Sequence, residues 1–149
     1  MKIKVDLDVP APPDSVWPHL ELLDRYPPWM RLVHRVESVD PTDGNPAWDV
    51  ELRAKIGPFA RSKRLRMART ACDECRFVRF ERAQFDGRDH AEWTLSTTLT
   101  ESDAGSVVTA ELFYSGDLWT GGILERVLED EIRQAKSSLL RVVTASPRR

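Results

Sequence analysis

The sequence predicts an α+β fold in which a curved antiparallel sheet of seven strands wraps around one long C-terminal helix. Three observations predict it. The stretch from about Asp117 to Ala145 carries Leu124, Val127, Leu128, Ile132, Ala135, Leu139, Val142 and Val143 on one broad arc at 100° per residue, the stripe that a helix buries. Before it come seven runs with strand-like alternation or composition, separated by turn residues. Only about twenty residues, after the first run, leave room for other helices, so no strand–helix–strand crossover fits.

The first strand is Ile3, Val5, Leu7 and Val9 alternating with Lys2, Lys4, Asp6 and Asp8, stopped by Pro10, Pro12 and Pro13. Asp14 or Ser15 can open a short helix through Val16, Trp17 and Leu20. A second short helix or turn carries Leu22, Leu23 and Tyr26 up to Pro27-Pro28. The second strand, from about Arg31 to Val39, has Val33 and Val36 out of phase, which predicts a bulge. Pro41 to Pro46 reads as a loop. Trp48, Val50, Leu52, Ala54 and Ile56 mark the third strand, and Gly57-Pro58 breaks it. Arg61–Ala71 has Leu65 and Met67 on one face and Arg64 and Arg66 on the other; Arg76–Gln84 follows, then a turn at Phe85–Arg88. Asp89–Thr100 aligns Ala91, Trp93, Leu95, Thr97 and Leu99, and Ser106–Ser115 aligns Val108, Ala110, Leu112 and Tyr114, with a turn at Ser102–Gly105 between them. In the final helix acids come early (Glu125, Glu129, Asp130, Glu131) and bases late (Arg133, Lys136, Arg141), the order the macrodipole favours. From Leu124 to Val143 the helix spans about 30 Å.

A chain of 149 residues is expected to be one domain, here 1–146 with a fraying tail at 147–149, able to bury roughly 70% of its unfolded surface. A net charge of −2 and an isoelectric point near 5.9 argue against general nucleic-acid binding. Neither a secretory leader nor a membrane span is expected, which makes a cytoplasmic protein the default. Cys72 and Cys75 are spaced C-x-x-C, but they sit between two strand runs with Asp73-Glu74 as the turn. A thioredoxin-type motif instead opens a helix, and two thiols make a poor zinc site, so reduced thiols in a hairpin are expected. The basic run Arg61–Arg66 reads most simply as the solvated face of a strand, with Glu51 and Glu81 as pairing partners.

Four stretches resemble a known family: Ala11-Pro12-Pro13-Asp14-Ser15-Val16-Trp17, Arg25-Tyr26-Pro27-Pro28-Trp29-Met30, Ile56-Gly57-Pro58-Phe59, and Tyr114-Ser115-Gly116 through Leu128. With the order of elements, they make the chain similar to the START-like, or SRPBCC, superfamily, in particular its polyketide cyclase/dehydrase and lipid-transport branch. The resemblance covers nearly the whole chain. It implies a helix-grip, with the sheet curled round the long helix, and an internal apolar pocket for a small molecule. Pockets of this kind are mostly apolar, with a few placed polar groups.

The expected ligand-binding walls are Trp29, Trp48, Val50, Leu52, Leu65, Met67, Trp93, Leu95, Leu112, Tyr114, Leu124 and Leu128, with Glu131 as a polar group among them. Ordinary core packing accounts for the apolar ones equally well, and Trp17 is better read as the anchor of the first short helix. Glu131 falls between Val127 and Ala135 on the apolar stripe, where a charge is uncommon unless an arginine satisfies it. Three residues are candidate catalytic groups: Glu131, His34, if it points inward with Val36, and Tyr114. His90 is out of phase with Trp93 and is expected to face outward. No metal, nucleotide or other cofactor motif is present.

The sequence thus supports a carrier, sensor or chaperone for a small hydrophobic molecule: a lipid, a quinone or a polyketide-like compound. The alternative is a cyclase/aromatase-type enzyme using a general acid or base in a dry pocket. A protein-interaction role with a vestigial pocket is the third reading, and a homodimer is compatible with all three.

Overall fold

A computed structural model describes residues 2–56, 58–83, 92–115 and 122–145, and at 56, 122–125 and 145 the backbone alone. The turn expected at Phe85–Arg88, Ala91, His90, the side chain of Leu124 and the tail from Ser146 lie outside the described residues. Seven strands form one antiparallel sheet: β1 (Lys2–Val9), β2 (Val33–Thr42), β3 (Asn45–Ile56), β4 (Phe59–Asp73), β5 (Phe77–Arg82), β6 (Trp93–Ser102) and β7 (Gly105–Tyr114). Their order across the sheet is β1-β7-β6-β5-β4-β3-β2. From β2 to β7 neighbours in sequence are neighbours in space, as short hairpin connections require.

Alternation decides which face is buried. In β1 the residues alternate strictly between exposed and buried, with Ile3, Val5, Leu7 and Val9 inward. In β6 and β7, Trp93, Leu95, Thr97 and Leu99 face the core beside Tyr114, Leu112, Ala110 and Val108, their cross-strand partners. The predicted loop at Pro41–Pro46 is instead a tight hairpin. The strands run on to Thr42 and Asn45, and only Asp43 and Gly44 turn, both with positive φ (51° and 78°), which suits a two-residue turn. Pro41 is tolerated because β2 is an edge strand. The turn of β6 into β7 ends at Gly105, where φ is 139° and a Cβ would stand 2.5 Å from the Ala11 backbone nitrogen, so only glycine fits.

Helix α1 (Pro13–Val16) starts with proline at its first position rather than with an Asp14 or Ser15 cap. It runs into a 3-10 turn at Trp17–His19, and a second 3-10 turn covers Leu23–Arg25. The C-terminal helix is present and bends at Gln134 into α2 (Gly122–Arg133) and α3 (Ala135–Ala145). The Gln134 amide still donates to the Asp130 carbonyl (3.0 Å), so the helical ladder carries into the bend. The apolar stripe continues through it: Leu128, Ile132, Ala135, Leu139 and Val143 are all buried. Helix α2 touches both β1 and β3, and α3 touches β1, so the bent helix lies across the concave face. Among the described residues no helix is long and apolar enough to cross a membrane.

Candidate functional site

The concave face divides into two parts. Around Thr97 it is plugged by aromatic side chains. The Tyr26 ring stands 4.8 Å from Trp29 and edge-on to Phe80 at 5.6 Å, and Phe80 meets Trp48 edge-on at 5.6 Å. Tyr26 donates its hydroxyl proton to the Leu20 carbonyl (2.9 Å), so the Thr97 hydroxyl, also at 2.9 Å, donates to the phenol oxygen. Burial pushes the Tyr26 phenol far above its ordinary range, which keeps it a neutral structural group. Trp29 Nε1 donates to the His19 carbonyl (3.0 Å), and Trp17 Nε1 to the Glu21 carboxylate (3.0 Å) four residues on.

The other part begins two inward rows further along β6, past Leu95. Trp93 pairs with Tyr114, their rings 4.4 Å apart, and register brings Arg82, Met67 and Trp48 to the same row. Trp93 is 6% exposed, and its Nε1 has no hydrogen-bond partner among the described residues. An unmatched buried donor costs about 1–3 kcal/mol. It therefore marks a place where an acceptor is called for.

The predicted walls Trp29, Trp48, Val50, Leu52, Leu65, Met67, Trp93, Leu95, Leu112, Tyr114 and Leu128 are all buried. Burial alone does not separate a pocket wall from core. Trp29 belongs to the plugged part by its contacts, and Trp93 and Tyr114 to the other. Both Glu131 oxygens meet Arg31, at 2.9 Å from Nη2 and 3.3 Å from Nε. The Glu131 side chain is 11% exposed and that of Arg31 61%, so the pair sits at the edge of the helix–sheet contact. The carboxylate holds the Arg31 guanidinium above its already high range. A pair this open contributes no more than about 1 kcal/mol. Glu131→Gln is therefore expected to lower stability by up to about that much and to leave ligand affinity unchanged; chemical denaturation and a ligand titration on the same preparation check both.

His34 does not point inward with Val36. The β2–β3 register runs Val33 to Leu52 and then Arg35 to Glu51, which leaves His34 as the extra residue of a bulge, exposed. The bulge itself was legible in the phase of the two valines, but not the side to which it would turn the histidine. His19, by contrast, is buried. Burial, and then the charge of Arg25, hold its imidazole below the ordinary range. The unfolded chain therefore takes up this proton at a higher pH than the folded one. The stabilising difference is complete above the unfolded pKa near 6.5 and is lost as pH falls through the folded value. Melting temperature is expected to drop between pH 7 and pH 5, and His19→Gln is expected to flatten that slope.

The cysteines sit in the β4–β5 hairpin, both free: Cys72 exposed, Cys75 in the turn with φ of 61°. Among the described residues no group of three His, Cys, Asp or Glu side chains gathers into a metal-binding cluster. Of the basic run, Arg66 and Arg64 point away from the core and pair with Asp49 (3.2 Å) and Glu51 (3.9 Å) of β3. Lys63 instead lies opposite Leu52, and Arg61 opposite Ala54, both core-facing positions of β3. Alternation back from Leu65 and Met67 carried that signal, which the high charge of the run obscured.

A curved seven-stranded antiparallel sheet gripping a bent C-terminal helix, with an aromatic concave face, defines a START-type helix-grip fold. The chain belongs to the family described as polyketide cyclase / dehydrase and lipid transport, whose model matches residues 1–144. Solved structures share the fold at low identity. The protein TTHA0849 from Thermus thermophilus superposes with a TM-score of 0.74 at 16% identity, covering 97% of this chain and 98% of its own. A START superfamily protein from Mycobacterium smegmatis gives 0.71 at 13%, covering 96% and 97%. The Zhui aromatase/cyclase from Streptomyces sp. R1128 gives 0.64 at 15%, covering 97% and 93%. None of the curated proteins matches the sequence.

Proposed function

We propose that this protein binds a small hydrophobic molecule (a lipid, a quinone or a polyketide-like compound) between the concave face and the C-terminal helix. The observation that carries this reading is the unmatched indole N–H of Trp93 on an otherwise apolar, aromatic wall. A ligand carbonyl or ether oxygen is the acceptor that such a donor lacks. Covering about 300 Å² of apolar ligand surface is worth roughly 7 kcal/mol. One hydrogen bond adds about 1 kcal/mol, and association takes part of the total back. The gross gain of about 8 kcal/mol thus sets micromolar affinity as the upper bound.

Binding is favoured over catalysis because two of the three candidate acid–base groups are otherwise placed: Glu131 is paired with Arg31, and His34 is exposed. Tyr114 remains on the wall beside Trp93. A cyclase/aromatase activity, the second reading, rests on the family and on the Zhui aromatase/cyclase sharing the fold.

Trp93→Phe tests the reading. It removes the unmatched donor, which offsets the loss of ring volume, so the melting temperature is expected to stay close to that of the unaltered protein. Affinity for carbonyl-bearing ligands such as quinones is expected to fall by about 5–10-fold, the worth of one hydrogen bond. Affinity unchanged by the substitution, or no saturable binding of any lipid, quinone or aromatic polyketide to the unaltered protein, would count against it.

A further inference from the structure

Phe59 is the one large hydrophobic side chain left exposed among the described residues, at 68%. It opens β4 at the tip of the β3–β4 hairpin, paired with Ile56, and Pro58 and Ala60 beside it are also exposed. A single exposed hydrophobic residue is ordinary; its surroundings here are not. Residues 53–64 carry Arg53, Lys55, Arg61, Lys63 and Arg64 and no acid, in a chain whose net charge is −2. By register these cations flank the tip on both faces. Arg61 and Lys63 lie opposite the core-facing Ala54 and Leu52, while Arg53, Lys55 and Arg64 alternate to the outer face. Glu51 meets Arg64 at 3.9 Å. With Glu51 and the net −1 of residues 84–91 (Asp86, Arg88 and Asp89) both set against them, the five positive charges still leave +3.

The tip stands at one end of the sheet. β3 pairs with β2 as far as Leu52, and the Arg53 amide donates to the Leu32 carbonyl (2.9 Å). β4 pairs with β5 from Met67 onward, and Phe59 lies eight positions before Met67. Among the described residues the hairpin therefore runs on past its neighbours, β3 and β4 pairing with each other down to Ile56 and Phe59. In this antiparallel sheet β5 ends, β6 starts and β7 ends at the same side, so the tip shares that end with the Trp93–Tyr114 row. An aromatic ring leading a positively charged projection suits an anionic lipid surface. The ring enters the interfacial layer, where aromatic side chains concentrate, and the cations behind it meet the phosphates. Nucleic acid would draw on the same charges, but it stacks its bases on aromatic rings set within a charged groove, whereas this ring leads at a protruding tip.

We propose that the β3–β4 hairpin docks the protein onto an anionic membrane surface, with Phe59 in the lipid interface and the flanking cations, Arg53 and Lys55 among them, at the phosphate groups. This surface is separate from the pocket and does not depend on the binding reading above. Docking in this way turns the sheet end that carries the Trp93–Tyr114 row toward the lipid.

Co-sedimentation with sucrose-loaded vesicles tests it, made of phosphatidylcholine alone or of phosphatidylcholine with about one third phosphatidylglycerol. The unaltered protein is expected to bind the anionic vesicles only, and to leave them as salt is raised. Phe59→Ser is expected to weaken binding about tenfold, the worth of burying much of one aromatic side chain, and Phe59→Trp to retain it. Arg53→Gln and Lys55→Gln are each expected to weaken it about fivefold. Lys136→Gln, the same change of charge on α3, is expected to stay within about twofold, because its charge lies away from the tip. All four positions are exposed, so the variants are expected to melt with the unaltered protein. No binding to the anionic vesicles, equal binding to both kinds, or undiminished binding by Phe59→Ser would overturn the proposal. Equal losses in the Lys55 and Lys136 variants would also overturn it, since net charge alone would then account for the binding. Binding of a short duplex DNA without binding of the anionic vesicles would overturn it in favour of a nucleic-acid surface.

Discussion

Tyr26→Ala is expected to cost about 3–5 kcal/mol of stability, the range for truncating a buried aromatic side chain. The ring is fully buried among Trp29, Phe80 and the middle of β6. Its hydroxyl joins the Leu20 carbonyl of the helical segment to Thr97 of the sheet. Removing the ring therefore opens a cavity and also leaves two polar groups short of a partner. Tyr26→Phe separates these contributions. It keeps the ring and is expected to cost about 1–3 kcal/mol, the penalty for leaving buried groups unmatched. Urea unfolding of the two variants measures both, and losses under about 0.5 kcal/mol would show that the plug is not part of the core.

Leu139→Ala is expected to cost about 2–5 kcal/mol, and Leu128→Ala a similar amount. Both side chains are buried, Leu128 on α2 and Leu139 on α3, one on each side of the bend at Gln134. Similar losses on the two sides would show that the whole bent helix is held by the sheet. A large loss at Leu128 with none at Leu139 would mean that α3 contributes little to the grip. Equilibrium unfolding, with the denaturant slope checked for constancy, distinguishes these outcomes.

Periodicity made most of the architecture legible. The strict alternation of β1, β6 and β7 and the stripe from Leu128 to Val143 each name their buried face without reference to partners. What sequence reasoning missed depended on pairing. The bend at Gln134 leaves the stripe intact, so no gap in the pattern announces it. Pro41 and Pro46 read as loop residues, but an edge strand and a strand end accommodate them. The wall was readable as a set of apolar positions. Its polar features were not, because each needs a second chain segment to define it. Glu131 is explained by Arg31, a hundred residues away, and the Trp93 donor stands out only once the groups around it are known. Lys63 was legible by parity with Leu65 and Met67, yet its charge argued for solvent.

The most direct test of the central claim is to follow the five tryptophan indole N–H resonances in a nitrogen-15-labelled sample during titration with a 1,4-naphthoquinone, using Trp93→Phe to assign one peak. Binding at the concave wall predicts a saturable downfield shift and slower solvent exchange for the Trp93 resonance. The Trp17 and Trp29 resonances, already committed to Glu21 and His19, are predicted to stay in place. A Trp93 resonance that stays fixed while the ligand saturates elsewhere would contradict the account.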